Sequence, residues 1–233
     1  MDFEQVARGY GRHLALLPGW GFDASIFAGL DLPYDYVRPQ GLPSPDLPEG
    51  LHAFLGRRKI RNITLFGWSM GAYLALDFYA RYPSLVDALL LVSLRRAFPE
   101  EEVEAEAQAL IQNQTAALKR FYRRCFLGQA ADYARFVAEL EEAYLAQWDL
   151  VELLSGLNYL KGKIVDLTGW SRFPVWIFHG GKDVICTLDQ IAPLPGDVAL
   201  EVLPWLGHLP FLASDFGQGL RGEVRPLVLC GER

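Results

Sequence analysis

The sequence has no long hydrophobic run, and this absence narrows what the protein can be. No uninterrupted apolar stretch approaches the roughly 20 residues that a transmembrane helix needs. The N-terminus is polar and carries Asp2, Glu4 and Arg8, so it does not have the apolar core of a signal peptide. We therefore predict a cytoplasmic protein that does not enter a membrane.

Cysteine, histidine and positive charge are also scarce. Cys125, Cys186 and Cys230 lie far apart in the sequence, which favours reduced thiols over a disulfide framework. There is no Cys-x-x-Cys, no His-Glu-x-x-His, no phosphate-binding glycine loop and no dinucleotide fingerprint, so we expect no metal and no cofactor. The net charge of −6 argues against nucleic acid as a partner.

What the sequence does have is the alternating pattern of an α/β protein. Its 233 residues, 51% of them hydrophobic, suffice for one domain with a sizeable core. Six short apolar runs, several of them continuous, predict strands buried on both faces, as in a parallel sheet. They are His13–Leu17, Tyr34–Val37, Ile63–Phe66, Ala88–Val92, Val175–Phe178 and Leu200–Leu203. Helical patterns at Leu51–Arg58 and Met70–Tyr82 lie between these runs.

This alternation stops after residue 97. Three acidic residues after Pro99 suit the start of a long helix, because they face the positive end of its dipole. Two further helices are predicted, at Ala130–Ala146 and Asp149–Lys161. We therefore divide the chain into a core (1–97 and 173–233), with a sheet of about six strands and helices on both faces, and a helical cap (98–172).

The segment Gly67-Trp-Ser-Met-Gly matches the pattern G-x-S-x-G between a predicted strand and a predicted helix. This is the setting of a nucleophile elbow, in which flanking glycines let the backbone turn sharply and leave a serine exposed. A plain glycine-rich turn is the alternative. In this context we interpret Ser69 as a nucleophile.

A serine nucleophile needs a base, and the chain has four histidines. His13 and His52 precede the elbow, and His179 ends a predicted strand, where packing is the commoner role. His208 follows the last predicted strand, on a loop that could reach the serine. We therefore predict His208 as the base.

An acid that orients the histidine should lie between Ser69 and His208, in the chain order typical of such elbows. Asp183 follows a strand and a glycine turn in Phe178-His-Gly-Gly-Lys-Asp, and a carboxylate there would stabilise the charged imidazole. Asp189 and Asp197 compete for this role, although neither follows a strand end so directly. We predict Asp183 as the third member of a triad.

Backbone N–H groups near the serine should stabilise the negative charge of a tetrahedral intermediate. Met70, which follows the serine, is the first predicted donor. The second is Trp20, which follows Gly19 in the loop after the first predicted strand. A glycine turn without a catalytic role is the alternative for this loop.

Together these motifs resemble the α/β-hydrolase superfamily over nearly the whole chain. Within it, Pro18-Gly-Trp-Gly, Gly67-Trp-Ser-Met-Gly and Gly207-His-Leu-Pro-Phe are similar to motifs of the pimeloyl-acyl-carrier-protein methyl ester esterases of biotin synthesis. The predicted cap is similar to theirs around Lys119-Arg-Phe-Tyr and Leu154-Ser-Gly-Leu-Asn-Tyr-Leu. Pro18 stands where those enzymes usually have histidine.

The resemblance implies an α/β-hydrolase fold and ester hydrolysis by Ser69, Asp183 and His208. It also implies that Trp20 and Phe121 contact the substrate, with Phe121 lining an acyl channel. By the same likeness, Arg120 would face an acyl carrier protein.

A basic cluster in the predicted cap points to the same partner. Between Thr115 and Arg135 only Asp132 opposes the cations, which are Lys119, Arg120, Arg123, Arg124 and Arg135. Acyl carrier proteins are acidic, so such a surface would steer their approach. We predict Arg120, Arg123 and Arg124 as partner contacts. An ordinary solvated helix face is the alternative.

Hydrolysis of a methyl or other short ester through an acyl-enzyme is the leading prediction, and two alternatives stay open. A carbon–carbon lyase of menaquinone synthesis shares this fold and triad, but is expected to hold a polycarboxylate with basic residues inside the pocket. Arg95 and Arg96 are the candidates for that role, although a structural or surface arginine is the commoner alternative for Arg95. A non-catalytic ligand-binding relative is the second alternative, and the complete triad argues against it.

Overall fold

The computed structural model describes residues 1–167, 174–191, 194, 198–214 and 216, which contain a seven-stranded sheet. The strands are β1 (Phe3–Val6), β2 (His13–Leu17), β3 (Asp35–Pro39), β4 (Ile63–Trp68), β5 (Val86–Val92), β6 (Val175–Gly180) and β7 (Ala199–Leu203). Their order is β1-β3-β2-β4-β5-β6-β7. β1 is antiparallel to β3, and the other neighbouring pairs are parallel. The mostly parallel sheet is confirmed, with one strand more than the six predicted.

β1 is the strand that the sequence pattern did not reveal. It pairs with β3 from Phe3 opposite Pro39 to Val6 opposite Tyr36. Within β1 only Phe3 is buried, and its ring centroid lies 5.7 Å from that of Phe54. Because β1 lies at the edge of the sheet and buries so little, it lacks the continuous apolar run that marks an interior strand.

Two helices connect parallel strands and contact each other, α1 (Leu47–Arg58) and α2 (Met70–Arg81). α1 begins earlier than the predicted Leu51, because Pro48 fits the first turn, where a helix needs no backbone N–H donor. α2 starts immediately after Ser69 and packs against β4, β2 and β5. This packing fixes the start of α2 over the carboxyl ends of the strands.

Among the described residues, four α-helices lie between β5 and β6. They are α3 (Glu100–Cys125), α4 (Ala130–Phe136), α5 (Glu142–Gln147) and α6 (Leu150–Leu160). α3 is interrupted at Asn113, which has non-helical backbone angles, and the π-helical segment Val137–Glu141 joins α4 to α5. α3 and α6 contact each other. No helix in the described part of the chain is long and apolar enough to cross a membrane.

The centre of the sheet is covered on both faces. Every residue of β4 is buried, as are the last five residues of β5. The carboxyl ends of β2, β4, β5 and β6 lie side by side in the sheet. In open parallel sheets this edge is where ligands bind, and Trp20, Ser69 and Asp183 follow the ends of β2, β4 and β6 closely in the chain.

Candidate active site

Ser69 occupies a strained turn between β4 and α2. Its backbone angles are φ 54° and ψ −119°, in a region that non-glycine residues rarely adopt. Its N–H donates to the carbonyl of Val92 at 2.9 Å. A Cβ at Gly67 would lie 2.5 Å from the carbonyl oxygen of Gly71, and one at Gly71 would lie 2.0 Å from that of Leu17. Both glycines of the motif are therefore required by close backbone packing.

Asp183 and His208 form a buried pair next to this turn. Nδ1 of His208 lies 2.7 Å from Oδ2 of Asp183, and neither side chain is exposed. The other oxygen, Oδ1, accepts the backbone N–H groups of Ile185 and Cys186, both at 2.9 Å. Burial alone would raise the pKa of Asp183, but His208 and these two donors outweigh it and lower the pKa below its ordinary value. The carboxylate is therefore held in its charged form.

The backbone of His208 is fixed by three hydrogen bonds. Its carbonyl accepts the indole N–H of Trp68 at 2.7 Å and the hydroxyl of Ser93 at 3.0 Å, and its N–H donates to the carbonyl of Cys125 at 3.1 Å. Nε2 is buried and has no hydrogen-bond partner among the described residues. The hydroxyl of Ser69 therefore forms no hydrogen bond with Nε2 in this structure. Such bonds often tighten only when substrate is bound.

The two predicted oxyanion donors flank Ser69. Met70 is the next residue, and a Cβ at Gly19 would lie only 3.2 Å from Cβ of Ser69, so the loop before Trp20 packs on the serine. Neither the N–H of Trp20 nor that of Met70 donates to an acceptor within the described part of the chain. Both groups therefore keep their hydrogen-bonding capacity for a ligand.

A cavity of about 260 Å³ opens above Ser69. Its apolar lining includes Trp20 and Phe121, whose ring centroids are 4.8 Å apart in an edge-to-face arrangement, and Leu157 of α6. The charged residues along it are Arg95, Glu102, Glu106 and Arg124. The cavity thus has an apolar wall beside the serine and charged groups contributed by α3 and the loop before it.

A sequence model of the alpha/beta hydrolase family matches residues 3–216. The chain belongs to the alpha/beta hydrolase family. It is 27% identical over 228 residues to a pimeloyl-[acyl-carrier protein] methyl ester esterase of Nitrosospira multiformis, with 89% of this chain and 81% of that protein covered. It is 26% identical over 235 residues to the protein of the same name from Chromobacterium violaceum, with 89% of this chain and 91% of that protein covered.

Solved structures show the same fold. A thermophilic esterase from Thermogutta terrifontis superimposes with a TM-score of 0.79 and 18% identity, over 94% of this chain and 91% of that one. At this identity the likeness shows the α/β-hydrolase fold alone.

Among the described residues of this alpha/beta hydrolase, none of the competing candidates forms a hydrogen bond with Asp183 or His208. Asp189 is exposed in the 3-10 turn Leu188–Gln190, and Asp197 lies outside the described residues. His52 is exposed and stacks on Tyr82. His179 is fully buried at the end of β6, as its packing interpretation expects.

The three predicted partner arginines differ in their surroundings. Nη2 of Arg120 donates to both carboxylate oxygens of Glu106, at 2.9 and 3.0 Å. Arg123 and Arg124 are exposed and form no ion pair within the described residues, and Arg124 also lines the cavity. The charge of Arg120 is therefore largely balanced, while the other two present free guanidinium groups.

Sequence reasoning missed the residues that brace the site. Trp68 and Ser93 both bind the carbonyl of His208. Arg95, a pocket cation or a structural arginine by sequence, donates hydrogen bonds to Ala97, Glu102 and Ile185. None of these roles has a local sequence signal, because each depends on partners far away in the chain.

One trio of possible metal ligands coincides with this site. Atoms of Asp183, Cys186 and His208 lie within 4.8 Å of one another. Asp183 and His208 already bind each other. The trio therefore fits a hydrogen-bonded acid–base pair better than a metal centre.

Proposed function

We propose that this protein is a serine carboxylesterase that hydrolyses a short, methyl-type ester of an acyl chain. The observation that carries the proposal is the buried Asp183–His208 pair, in which Nδ1 and Oδ2 are 2.7 Å apart. The pair lies beside Ser69, which has a strained backbone conformation and lines the cavity. Family membership and the activity for which the two relatives are named support ester hydrolysis.

In this mechanism Ser69 is the nucleophile and His208 the base. His208 takes the proton of the Ser69 hydroxyl as Oγ bonds to the ester carbonyl, and Asp183 stabilises the resulting imidazolium. The N–H groups of Trp20 and Met70 bind the carbonyl oxygen as it becomes negative. His208 then protonates the departing alcohol. Water attacks the acyl-enzyme by the same route and releases the acid and the free serine.

The cavity suits an acyl chain of moderate length. The edge-to-face pair of Trp20 and Phe121, with Leu157, would contact methylene groups next to the ester. We propose residues 98–172 as a cap over a core made of residues 1–97 and 173–233. Phe121 and Leu157 of this segment line the cavity. The indole N–H of Trp20, in the core, donates to the carbonyl of Leu153 at 2.8 Å.

We propose an acyl-carrier-protein-linked ester, such as the pimeloyl methyl ester named for the relatives, as the natural substrate. Arg123 and Arg124 are exposed cations without an ion pair among the described residues, and Arg124 lines the cavity, so an acidic carrier would be steered toward them. Arg120 contributes less, because Glu106 balances its charge.

The test compares pimeloyl methyl ester on its carrier protein with free p-nitrophenyl acetate. Replacing Arg123 and Arg124 by Glu should lower kcat/KM for the carrier-linked ester at least about tenfold at low salt, because rim charges act mainly on association. Hydrolysis of p-nitrophenyl acetate should stay normal. The matched control changes Arg57 and Arg61, two exposed arginines of the core, to Glu. Equal losses of kcat/KM on both substrates would contradict a docking role. A wild-type protein that turns over no ester would contradict the proposed esterase activity itself.

The carbon–carbon lyase is less well supported. It requires several free cations to hold a polycarboxylate, but Arg95 is paired with Glu102 at 2.9 Å and Arg96 is exposed and does not line the cavity. This leaves Arg124 as the one unpaired cation along the described lining. A non-catalytic ligand-binding role would leave the acid–base pair without a purpose. A burst of p-nitrophenol on mixing with p-nitrophenyl acetate would separate an esterase from a ligand-binding protein.

A further inference from the structure

Arg95 is a buried guanidinium at the carboxyl edge of the sheet, just after β5. Its exposure is 3%, and its charged group lies 4.5 Å from the ring centroid of Phe98. Its carbonyl accepts the hydroxyl of Tyr73 from α2 at 2.6 Å. Both the side chain and the backbone of this residue are therefore fixed by the fold.

The guanidinium ties together three separate segments. Nε donates to the carbonyl of Ala97 at 2.7 Å, in its own loop. Nη1 and Nη2 donate to the two carboxylate oxygens of Glu102, in the first turn of α3, at 2.9 and 3.3 Å. Nη1 also donates to the carbonyl of Ile185 at 3.0 Å. A planar fork with several donors can make this set of bonds, whereas a lysine ammonium cannot.

The contact with Ile185 leads directly to the Asp183–His208 pair. The carbonyl of Ile185 and the N–H of Cys186 belong to one peptide group, and that N–H donates to Oδ1 of Asp183 at 2.9 Å. Oδ2 of the same carboxylate lies 2.7 Å from Nδ1 of His208. A continuous hydrogen-bond chain therefore runs from Arg95 through one peptide group and Asp183 to His208. A cation at one end polarises the peptide and strengthens the bonds that follow it.

We propose that Arg95 is a positioning residue for the acid–base pair, and that Glu102 of α3 orients Arg95 in turn. The role rests on the proposed function, since it matters for turnover only if Asp183 and His208 act in catalysis. Arg95 lines the cavity, but in this role it acts through the 185–186 peptide and not on the reacting atoms. It holds the 185–186 peptide, which in turn holds the carboxylate in the orientation that His208 requires. The orientation of the Asp183 carboxylate therefore depends on the position of α3, which carries Glu102.

The kinetic test uses Arg95→Lys, which keeps the charge but loses the fork. With p-nitrophenyl acetate, kcat should fall at least about tenfold while KM stays within about twofold, because misalignment acts on the chemical step. Arg96→Lys, a change at the exposed neighbouring residue, is the matched control. Glu102→Gln should lower kcat by a smaller factor, again with little change in KM. Its control is Glu101→Gln, which removes one charge from the same exposed turn.

A double mutant shows whether Arg95 acts through Asp183. In an Asp183→Asn background, Arg95→Lys should cause little further loss of kcat, because the carboxylate that it positions is already gone. A loss of the same size in both backgrounds would overturn the proposal, as would wild-type kcat in Arg95→Lys. If Arg95→Lys does not fold, Glu102→Gln carries the test, since its side chain is 54% exposed.

A spectroscopic readout separates this proposal from the proposed function. The Nδ1 proton of His208, in its short bond to Asp183, should give a proton NMR signal far downfield of the amide region. In Arg95→Lys the signal should move upfield or vanish by exchange, and in Arg96→Lys it should stay. An unchanged signal in Arg95→Lys would overturn the positioning role. The measurement needs no turnover, so a wild type without esterase activity would refute the proposed function and leave this test intact.

Discussion

The indole N–H of Trp20 donates to the carbonyl of Leu153 at 2.8 Å, which joins the loop after β2 to helix α6. The next turn of α6 approaches the same ring so closely that a Cβ at Gly156 would lie 2.7 Å from Cδ1 of Trp20. A helix between β5 and β6 therefore helps to place the residue that we propose as an oxyanion donor. The proposed cap thereby contributes to the proposed active site.

Replacing Gly156 by Ala should displace Trp20 and impair catalysis. The added methyl group meets a ring that is held by α6 and Phe121, so the ring and the attached backbone must move. Removing one oxyanion donor altogether costs about 10²–10³ in kcat, and we expect a partial displacement to cost about tenfold. The measurement is kcat for p-nitrophenyl acetate. Gly56→Ala, in α1 with open space around it, is the control and should keep wild-type activity.

Ser69→Ala should abolish ester hydrolysis without unfolding the protein. The loss should be roughly 10⁴-fold or more in kcat, because no acyl-enzyme can form. Removing the hydroxyl leaves the turn in place, since the glycines that flank Ser69 and its backbone bond to Val92 are unchanged. Circular dichroism should match the wild type. Ser84→Ala, at an exposed position, is the control. Near wild-type turnover by purified Ser69→Ala would refute the nucleophile assignment.

Asp183→Asn should reduce kcat by about 10⁴-fold with little change in KM, because an amide cannot stabilise the imidazolium of His208. Steady-state kinetics with a short ester provide the measurement. Asp189→Asn, which changes an exposed carboxylate in the next turn, should keep wild-type activity. A large loss of kcat in Asp189→Asn instead would show that Asp189, and not Asp183, is the acid of the triad.

The stability of the protein should fall with decreasing pH in part because of His179. Burial lowers the pKa of this histidine, so just below about pH 6.5, the ordinary histidine pKa, the unfolded chain binds a proton there and the folded chain does not. The free energy of unfolding should therefore decrease as pH falls, by up to about 1.4 kcal/mol per pH unit. Urea unfolding of His179→Gln at several pH values should show a shallower dependence. The control His52→Gln, at an exposed site, should keep the wild-type slope.

Local features of the sequence account for much of the fold and for the serine. Continuous apolar runs marked the interior strands. β2 has the predicted bounds, His13–Leu17, and every residue after His13 is apolar and buried, as in a strand covered on both faces. The elbow could be identified from five residues, since Gly67 and Gly71 are needed by contacts made within the turn and by the neighbouring strand. The edge strand β1 escaped prediction because one buried residue leaves no pattern.

The tertiary structure decided which distant groups meet. Chain order could rank Asp183 above Asp189, but only the packing of the loops after β6 and β7 brings Asp183 to 2.7 Å from His208. The same holds for Arg120, which sequence alone treats as a free cation and which pairs with Glu106 on the other side of the break at Asn113. Arg95 reaches Ile185 across 90 residues of sequence. Such contacts depend on how strands and helices pack together, and no local pattern of residues encodes them.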